Sequence, residues 1–162
     1  WAVYPDVIPA LDALLGAGIA MAVVSDWGHG LGAILLDLEL GRYFRHLVVS
    51  SRLGVTKPDP SGFRTALSGL GARADRTVFI GDTYVKDVLG ARAAGIAPVL
   101  LDRAGTAPSV DCPVVRVLTD VLPLVGLRRP DETAQPAPAP SDGLGALSLP
   151  RSIHASPAES HP

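Results

Sequence analysis

Apolar and polar positions follow two rhythms along the first 127 residues. Val7, Ile8, Leu11, Leu14 and Leu15 recur at i, i+1, i+4, i+7 and i+8, one face of a helix with 3.6 residues per turn. Gly16 and Gly18 close that run, as glycine does past a helix end. Ile19 to Val24 is then wholly apolar and rich in Val and Ala, the pattern of a strand covered on both faces. A second helix is predicted over Leu31–Leu40, stopped by Gly41, and a second strand over Leu47–Val49. Asp59 and Pro60 make a helix start, with Asp59 as N-cap and Pro60 at the first helical position. That helix runs to about Leu70, before Gly71. Thr77–Ile80, Val85–Ala94 and Ala97–Leu101 follow as strand, helix and strand. Val114–Val117 reads as a short fifth strand and Asp120–Val125 as a closing helical turn or two.

Strand–helix alternation of this kind predicts right-handed parallel crossovers and an α/β fold with a doubly wound parallel sheet. In such sheets ligands gather just past the carboxyl ends of the strands. The polar residues at those places are Ser25 and Asp26, Ser50 and Ser51, Gly81 and Asp82, and Asp102 and Arg103.

Composition divides the chain. All eight aromatic residues lie between Trp1 and Tyr84, whereas seven of the fifteen prolines lie between Pro130 and Pro162. A Pro/Ala/Ser-rich segment with so little apolar bulk cannot offset its ordering entropy. We therefore expect a core over residues 1–127 and a disordered tail over 128–162. Fourteen Lys and Arg against sixteen Asp and Glu give a net charge of −2, with no basic footprint for nucleic acid. Cys112 is the one cysteine, which excludes an internal disulfide framework and a Cys-based zinc site. The longest uncharged run, Ala13 to Ser25, has thirteen residues, too few to cross a bilayer as a helix. No basic segment precedes it, which argues against a signal peptide. Cytoplasm is the default expectation, and the oligomeric state is open. The chain starts at Trp1 and has its one methionine at position 21, so we expect it to be a piece of something longer.

Three short stretches carry chemistry. Val23-Val24-Ser25-Asp26 places a hydroxyl and a turn at a strand end. Lys57-Pro58-Asp59-Pro60 holds a lysine just before a helix. Ile80-Gly81-Asp82-Thr83-Tyr84-Val85-Lys86-Asp87 runs a strand into two carboxylates five apart. Each alone is an ordinary turn. In order, each after its own strand, they make a kit for handling phosphate with a divalent cation. A hard cation such as Mg²⁺ takes carboxylate oxygens, and Asp82 offers one. A lysine balances carboxylate and phosphoryl charge. A serine hydroxyl with free loop N–H groups binds phosphate oxygens.

These stretches resemble the motifs of the haloacid dehalogenase-like (HAD) hydrolase superfamily, in its phosphatase-rich subfamily with a helical cap inserted early. Val23-Val24-Ser25 matches the second motif, Lys57-Pro58-Asp59-Pro60-Ser61-Gly62-Phe63 the third, and Gly81-Asp82-Thr83-Tyr84-Val85-Lys86-Asp87 the fourth. Tyr4-Pro5-Asp6-Val7, Tyr43-Phe44 and Ala91-Arg92-Ala93-Ala94-Gly95-Ile96 agree with the flanking text, and the resemblance covers roughly residues 3 to 105. It implies a Rossmann-like HAD core and a Mg²⁺-dependent phosphatase acting through an aspartyl intermediate on a small phosphorylated metabolite. Carried over, Ser25, Asp26 and Lys57 would form the phosphate site. Lys57 would also stabilise the charge shared by nucleophile and phosphate. Asp82 would coordinate Mg²⁺, and Asp87 would hold a metal-bound water or Lys57. Neither nucleic acid nor membrane is an implied partner.

The sequence also departs from that pattern. The family's nucleophile is the first Asp of an Asp-x-Asp pair after the first strand, and no two Asp here stand two apart. Asp37-Leu38-Glu39 is the nearest match, but it lies in a helical pattern. This chain therefore holds no nucleophile, and the cap would lie upstream of Trp1 as well. The resemblance puts the missing strand at the centre of the sheet, between the Ile19 and Thr77 strands. Asp26 and Lys86 each stand where the family often has Asn. An inward Asp26 carboxylate would repel phosphate by roughly 4 kcal/mol at about 4 Å. His29, between Gly28 and Gly30, reads as a solvated loop histidine, and Trp27 as packing for the missing segments. The expected function is thus the C-terminal portion of a HAD-like phosphatase, inactive alone. The alternative is a truncated, non-catalytic HAD fold with a binding or assembly role.

Overall fold

The apolar stripe beginning at Val7 winds into α1 (Val7–Gly16) and buries Ala10, Leu11 and Leu14. The computed structural model describes residues 1–131. The chain continues as β1 (Met21–Ser25), α2 (Leu31–Asp37), β2 (Phe44–Val49), α3 (Ser50–Leu53) and α4 (Ser61–Leu70). After these come β3 (Val78–Gly81), a π-helical turn over Tyr84–Val88, α5 (Leu89–Ala93), β4 (Ala97–Leu101) and β5 (Val114–Val115). Two 3₁₀ turns, Leu118–Val121 and Pro123–Val125, follow.

Every strand pairing is parallel, so the α/β architecture with flanking helices agrees with the sequence pattern. The strands form two sheets, parted between β1 and β3, where the missing central strand was expected. β1 pairs with β2, Ala22 opposite His46 and Ser25 opposite Val49. β4 pairs with β3 on one side and β5 on the other. No ladder joins β1 to β3. Both strands bordering this division are half-buried along their whole length. The all-apolar run at β1 predicted a strand buried on both faces, and this is corrected: all five β1 residues are only half-buried, because no strand flanks them on the side away from β2. The better covered strand residues, Val48, Val49, Val99 and Leu100, lie in β2 and β4.

The buried side chains gather in three clusters. Leu11, Leu40 and Tyr43 lie under α1. Phe63, Ala91 and Ile96 join α4 to α5. Val99, Val115 and Val121 close the β4–β5 side. Two glycines permit close approach. A Cβ on Gly62 would stand 3.2 Å from Val24 Cγ1, and one on Gly90 would stand 2.6 Å from the Phe63 ring.

Element boundaries shift where local signals compete. α2 ends at Asp37, three residues early, and Glu39 turns into the left-handed region at φ 57°. β2 begins at Phe44, ahead of its strongest apolar stretch. α3 was not foreseen, because Ser50 and Ser51 read as a loop. The helix read over Val85–Ala94 is divided between the π-helical turn and α5. The fifth strand stops at Val115, and 3₁₀ turns replace the closing helix. The tail expected over 128–162 lies, from residue 132 onward, outside the described residues. Among the described residues no helix is long and apolar enough to cross a membrane.

Candidate active site

Three loops supply the site. Ser25 ends β1 and Asp26 follows it. Lys57 stands in the loop before α4, where Asp59 Oδ1 accepts the Ser61 N–H at 2.8 Å. That bond is the capping contact expected of Asp59, although the regular helix begins one residue later than predicted, at Ser61. Asp87 comes from the π-helical turn after β3, a wide turn of the kind often found at functional sites.

Lys57 Nζ lies 2.6 Å from Asp87 Oδ1, with side-chain exposures of 15% and 3%. Asp87 Oδ2 accepts the Thr83 N–H at 2.9 Å, so both oxygens of this buried carboxylate are held. A Cβ on Gly81 would land on the Asp87 carboxylate, which explains why glycine precedes Asp82. Of the two partners expected for Asp87, the structure shows Lys57. The Lys57 ammonium also stands 5.8 Å from the Phe79 ring centroid. Asp26 turns inward: Oδ1 accepts the Lys57 backbone N–H at 3.0 Å, and Oδ2 lies 3.5 Å from Lys86 Nζ. The two positions noted as departures therefore face each other, and Asp26 does not present an uncompensated charge. Ser25, Asp26, Ser50, Thr56 and Lys57 line a cleft of about 10 Å³, room for about one water.

Residues 1–95 match the description of the haloacid dehalogenase-like hydrolase family, and a second description of that group matches residues 55–141. The chain belongs to the haloacid dehalogenase-like hydrolase family. It is 36% identical over 119 residues to haloacid dehalogenase-like hydrolase domain-containing protein 3 of Danio rerio, a match covering 73% of this chain and 49% of that protein. It is 36% identical over 106 residues to the glyceraldehyde 3-phosphate phosphatase of Methanopyrus kandleri, covering 62% of this chain and 43% of that protein. A phosphoglycolate phosphatase of Pseudomonas syringae is 38% identical over 100 residues, 61% of this chain and 36% of that protein. The chain thus spans half or less of the length of these relatives. Among solved structures, a HAD phosphatase from Thermococcus onnurineus superposes with a TM-score of 0.75 at 27% identity, covering 78% of this chain and 60% of that one.

The sequence-predicted residues of this HAD-like hydrolase chain do not all converge. Ser25, Asp26, Lys57 and Asp87 are joined by the contacts above. Asp82 is exposed, and its Oδ1 accepts a hydrogen bond from the Thr83 hydroxyl at 3.2 Å. Among the described residues no group of three or more His, Cys, Asp or Glu stands close enough to hold a metal ion. One exposed carboxylate falls short of the oxygen set a hard cation takes, so these residues do not by themselves fit Mg²⁺. His29 is an exposed loop residue, as read. Trp27, expected to pack on missing segments, meets Trp1 edge-on within this chain, with ring centroids 5.5 Å apart. Asp102 shapes a turn, accepting the N–H groups of Gly105 and Ala107.

Sequence reading missed two polar clusters, because their members are far apart in the chain. Asp6 accepts both hydrogen bonds from Arg103 at 3.0 Å and one from the Leu118 backbone N–H. Arg103 lies 4.0 Å over the Tyr4 ring. Asp111 accepts hydrogen bonds from Arg92 and Tyr84, each at 2.8 Å. Arg92 foremost, then Tyr84, pulls its carboxyl down to about 2.

Proposed function

We propose that this chain is the C-terminal portion of a phosphatase acting on small phosphomonoesters. The observation that carries the reading is the Lys57 ammonium, held 2.6 Å from a buried Asp87 beside the end of β1 where Ser25 stands. A cation fixed in this way stabilises charge on a transferring phosphoryl group. The Ser25 hydroxyl makes no hydrogen bond to the described residues and is available to phosphate oxygens. Asp87 fixes the position of Lys57. The nucleophile is an aspartate upstream of Trp1. The phosphoryl group passes to it as the ester oxygen leaves, and water then releases inorganic phosphate. Asp82 would give one carboxylate to a Mg²⁺ ion only together with ligands from outside this chain, and the ion would supply positive charge to the phosphoryl oxygens. The relatives named as glyceraldehyde 3-phosphate and phosphoglycolate phosphatases support a small phosphorylated substrate.

The test is phosphatase turnover by the full-length protein. Lys57→Ala and Asp82→Asn should each lower kcat by about 100-fold or more, and full turnover by either variant rejects the role given to it. A second reading is a truncated, non-catalytic fold used for binding or assembly. The inward Asp26, an extra carboxylate beside the candidate phosphate site, is the observation that favours it. In-frame DNA upstream of the Trp1 codon decides between them. An apolar strand followed by Asp-x-Asp supports the enzyme, whereas a nearby stop codon supports the second reading.

A further inference from the structure

Asp26 is the strangest charge in the site. Its Oδ2 is buried and makes no hydrogen bond, a costly state for a carboxylate oxygen. Its nearest cation is Lys86, at 3.5 Å, an ion contact without hydrogen-bond geometry. The other oxygen holds the backbone N–H of Lys57. The Lys57 side chain in turn reaches Asp87, the residue next to Lys86 in the π-helical turn. The contacts close a ring: Lys86 to Asp26, Asp26 to the Lys57 backbone, Lys57 Nζ to Asp87, and Asp87 back to Lys86 through their shared peptide. Three loops meet in it, and it ties β1 to β3, which share no ladder bonds. The chain's basic residues number fourteen, and only two, Lys57 and Lys86, are lysines. Both lie in the ring. A lysine is a compact point charge whose stem gives it no fixed fork, so where it stands depends on what holds it.

We propose that Lys86 is a positioning residue for Lys57. It neutralises Asp26 so that this carboxylate can remain turned inward and hold the Lys57 backbone, which aims the ammonium at Asp87. Lys86 itself is 53% exposed at its side chain and acts only through Asp26. Without it, Asp26 has no cation at its buried oxygen and turns out to water, and the Lys57 segment loses its anchor. The proposal rests on the reading of Lys57 as the site's working cation, but its geometry does not depend on phosphate.

Acetylation rates with an amine-reactive reagent, read by peptide mass spectrometry on the 162-residue chain, test it, because only two lysines report. The α-amine of Trp1 is the internal reference. In the unaltered chain Lys86 should react at least roughly tenfold faster than Lys57. Lys86→Met should raise the Lys57 rate several-fold. Lys86→Arg, which keeps the charge, and Asp26→Asn/Lys86→Met, which removes the buried charge, should both restore protection. Loss of fold alone would expose Lys57 in all three variants and overturn the proposal. Equal rates for the two lysines in the unaltered chain, or an unchanged Lys57 rate in Lys86→Met, would overturn it too. Inorganic phosphate added to the full-length protein is a separate arm. Failure to slow Lys57 labelling there counts against the phosphatase reading and leaves the positioning result standing.

Discussion

Asp6 is where the chain's first turn is tied to its last strands. Burial of its carboxyl opposes ionisation, but hydrogen bonds from Arg103 and the Leu118 N–H outweigh it, and the net shift is downward. A carboxyl whose folded value lies below its unfolded one, near 3.9, adds stability that is fully present above that unfolded value. The contribution is lost as pH falls through the lower, folded value. Asp6→Asn should therefore cost about 1–3 kcal/mol at neutral pH and flatten the acid limb below pH of about 4, as read by thermal melts across that range. An unchanged acid limb would show that Asp6 is not among the groups driving acid unfolding. The residue itself was visible in the sequence only as part of the Tyr4-Pro5-Asp6-Val7 text. Its partners stand 97 and 112 residues away, and no local pattern links them.

Between elements, glycines mark the closest approaches. Gly90 lets α5 meet Phe63 of α4, with Pro58 Cα 3.1 Å from where a Cβ would stand. Gly90→Ala should cost about 1–3 kcal/mol as overpacking, whereas Phe63→Ala should cost about 3–5 kcal/mol as a cavity. Chemical denaturation measures both, and equal, small effects would show that the α4–α5 contact is loose. Gly81→Ala acts differently: its Cβ displaces the Asp87 carboxylate. It should raise Lys57 reactivity as well as lower stability, and a fall in stability alone would separate Gly81 from the site. The α4 start was readable because Asp59-Pro60 is a local capping signal. The break of the Val85–Ala94 helix was not. Periodicity gives the same stripe for a π-helical turn as for an α-helix, and the turn is wide where Lys86 and Asp87 reach toward Asp26 and Lys57.

At the level of the whole molecule, the parted sheets dominate. β1 and β3 each leave a backbone edge unpaired by any described strand, and such edges recruit other strands. Each aliphatic side chain that a strand between them would bury is worth about 1.5–3 kcal/mol. The isolated chain should therefore pair or aggregate, seen as elution larger than a 16.8 kDa monomer. A sharp, cooperative melt from a monomer would refute this. The order of the strands, the parallel α/β class and the choice of Ser25, Lys57, Asp82 and Asp87 as candidates followed from the sequence alone. Those signals are short-range: periodicity, caps, and motifs a few residues long. Only the tertiary structure decided that Asp87 holds Lys57, that Lys86 answers Asp26, and that Asp82 stands exposed. Each of these depends on which loops meet in space, and contacts between residues some 30 to 60 positions apart leave no periodic trace along the chain.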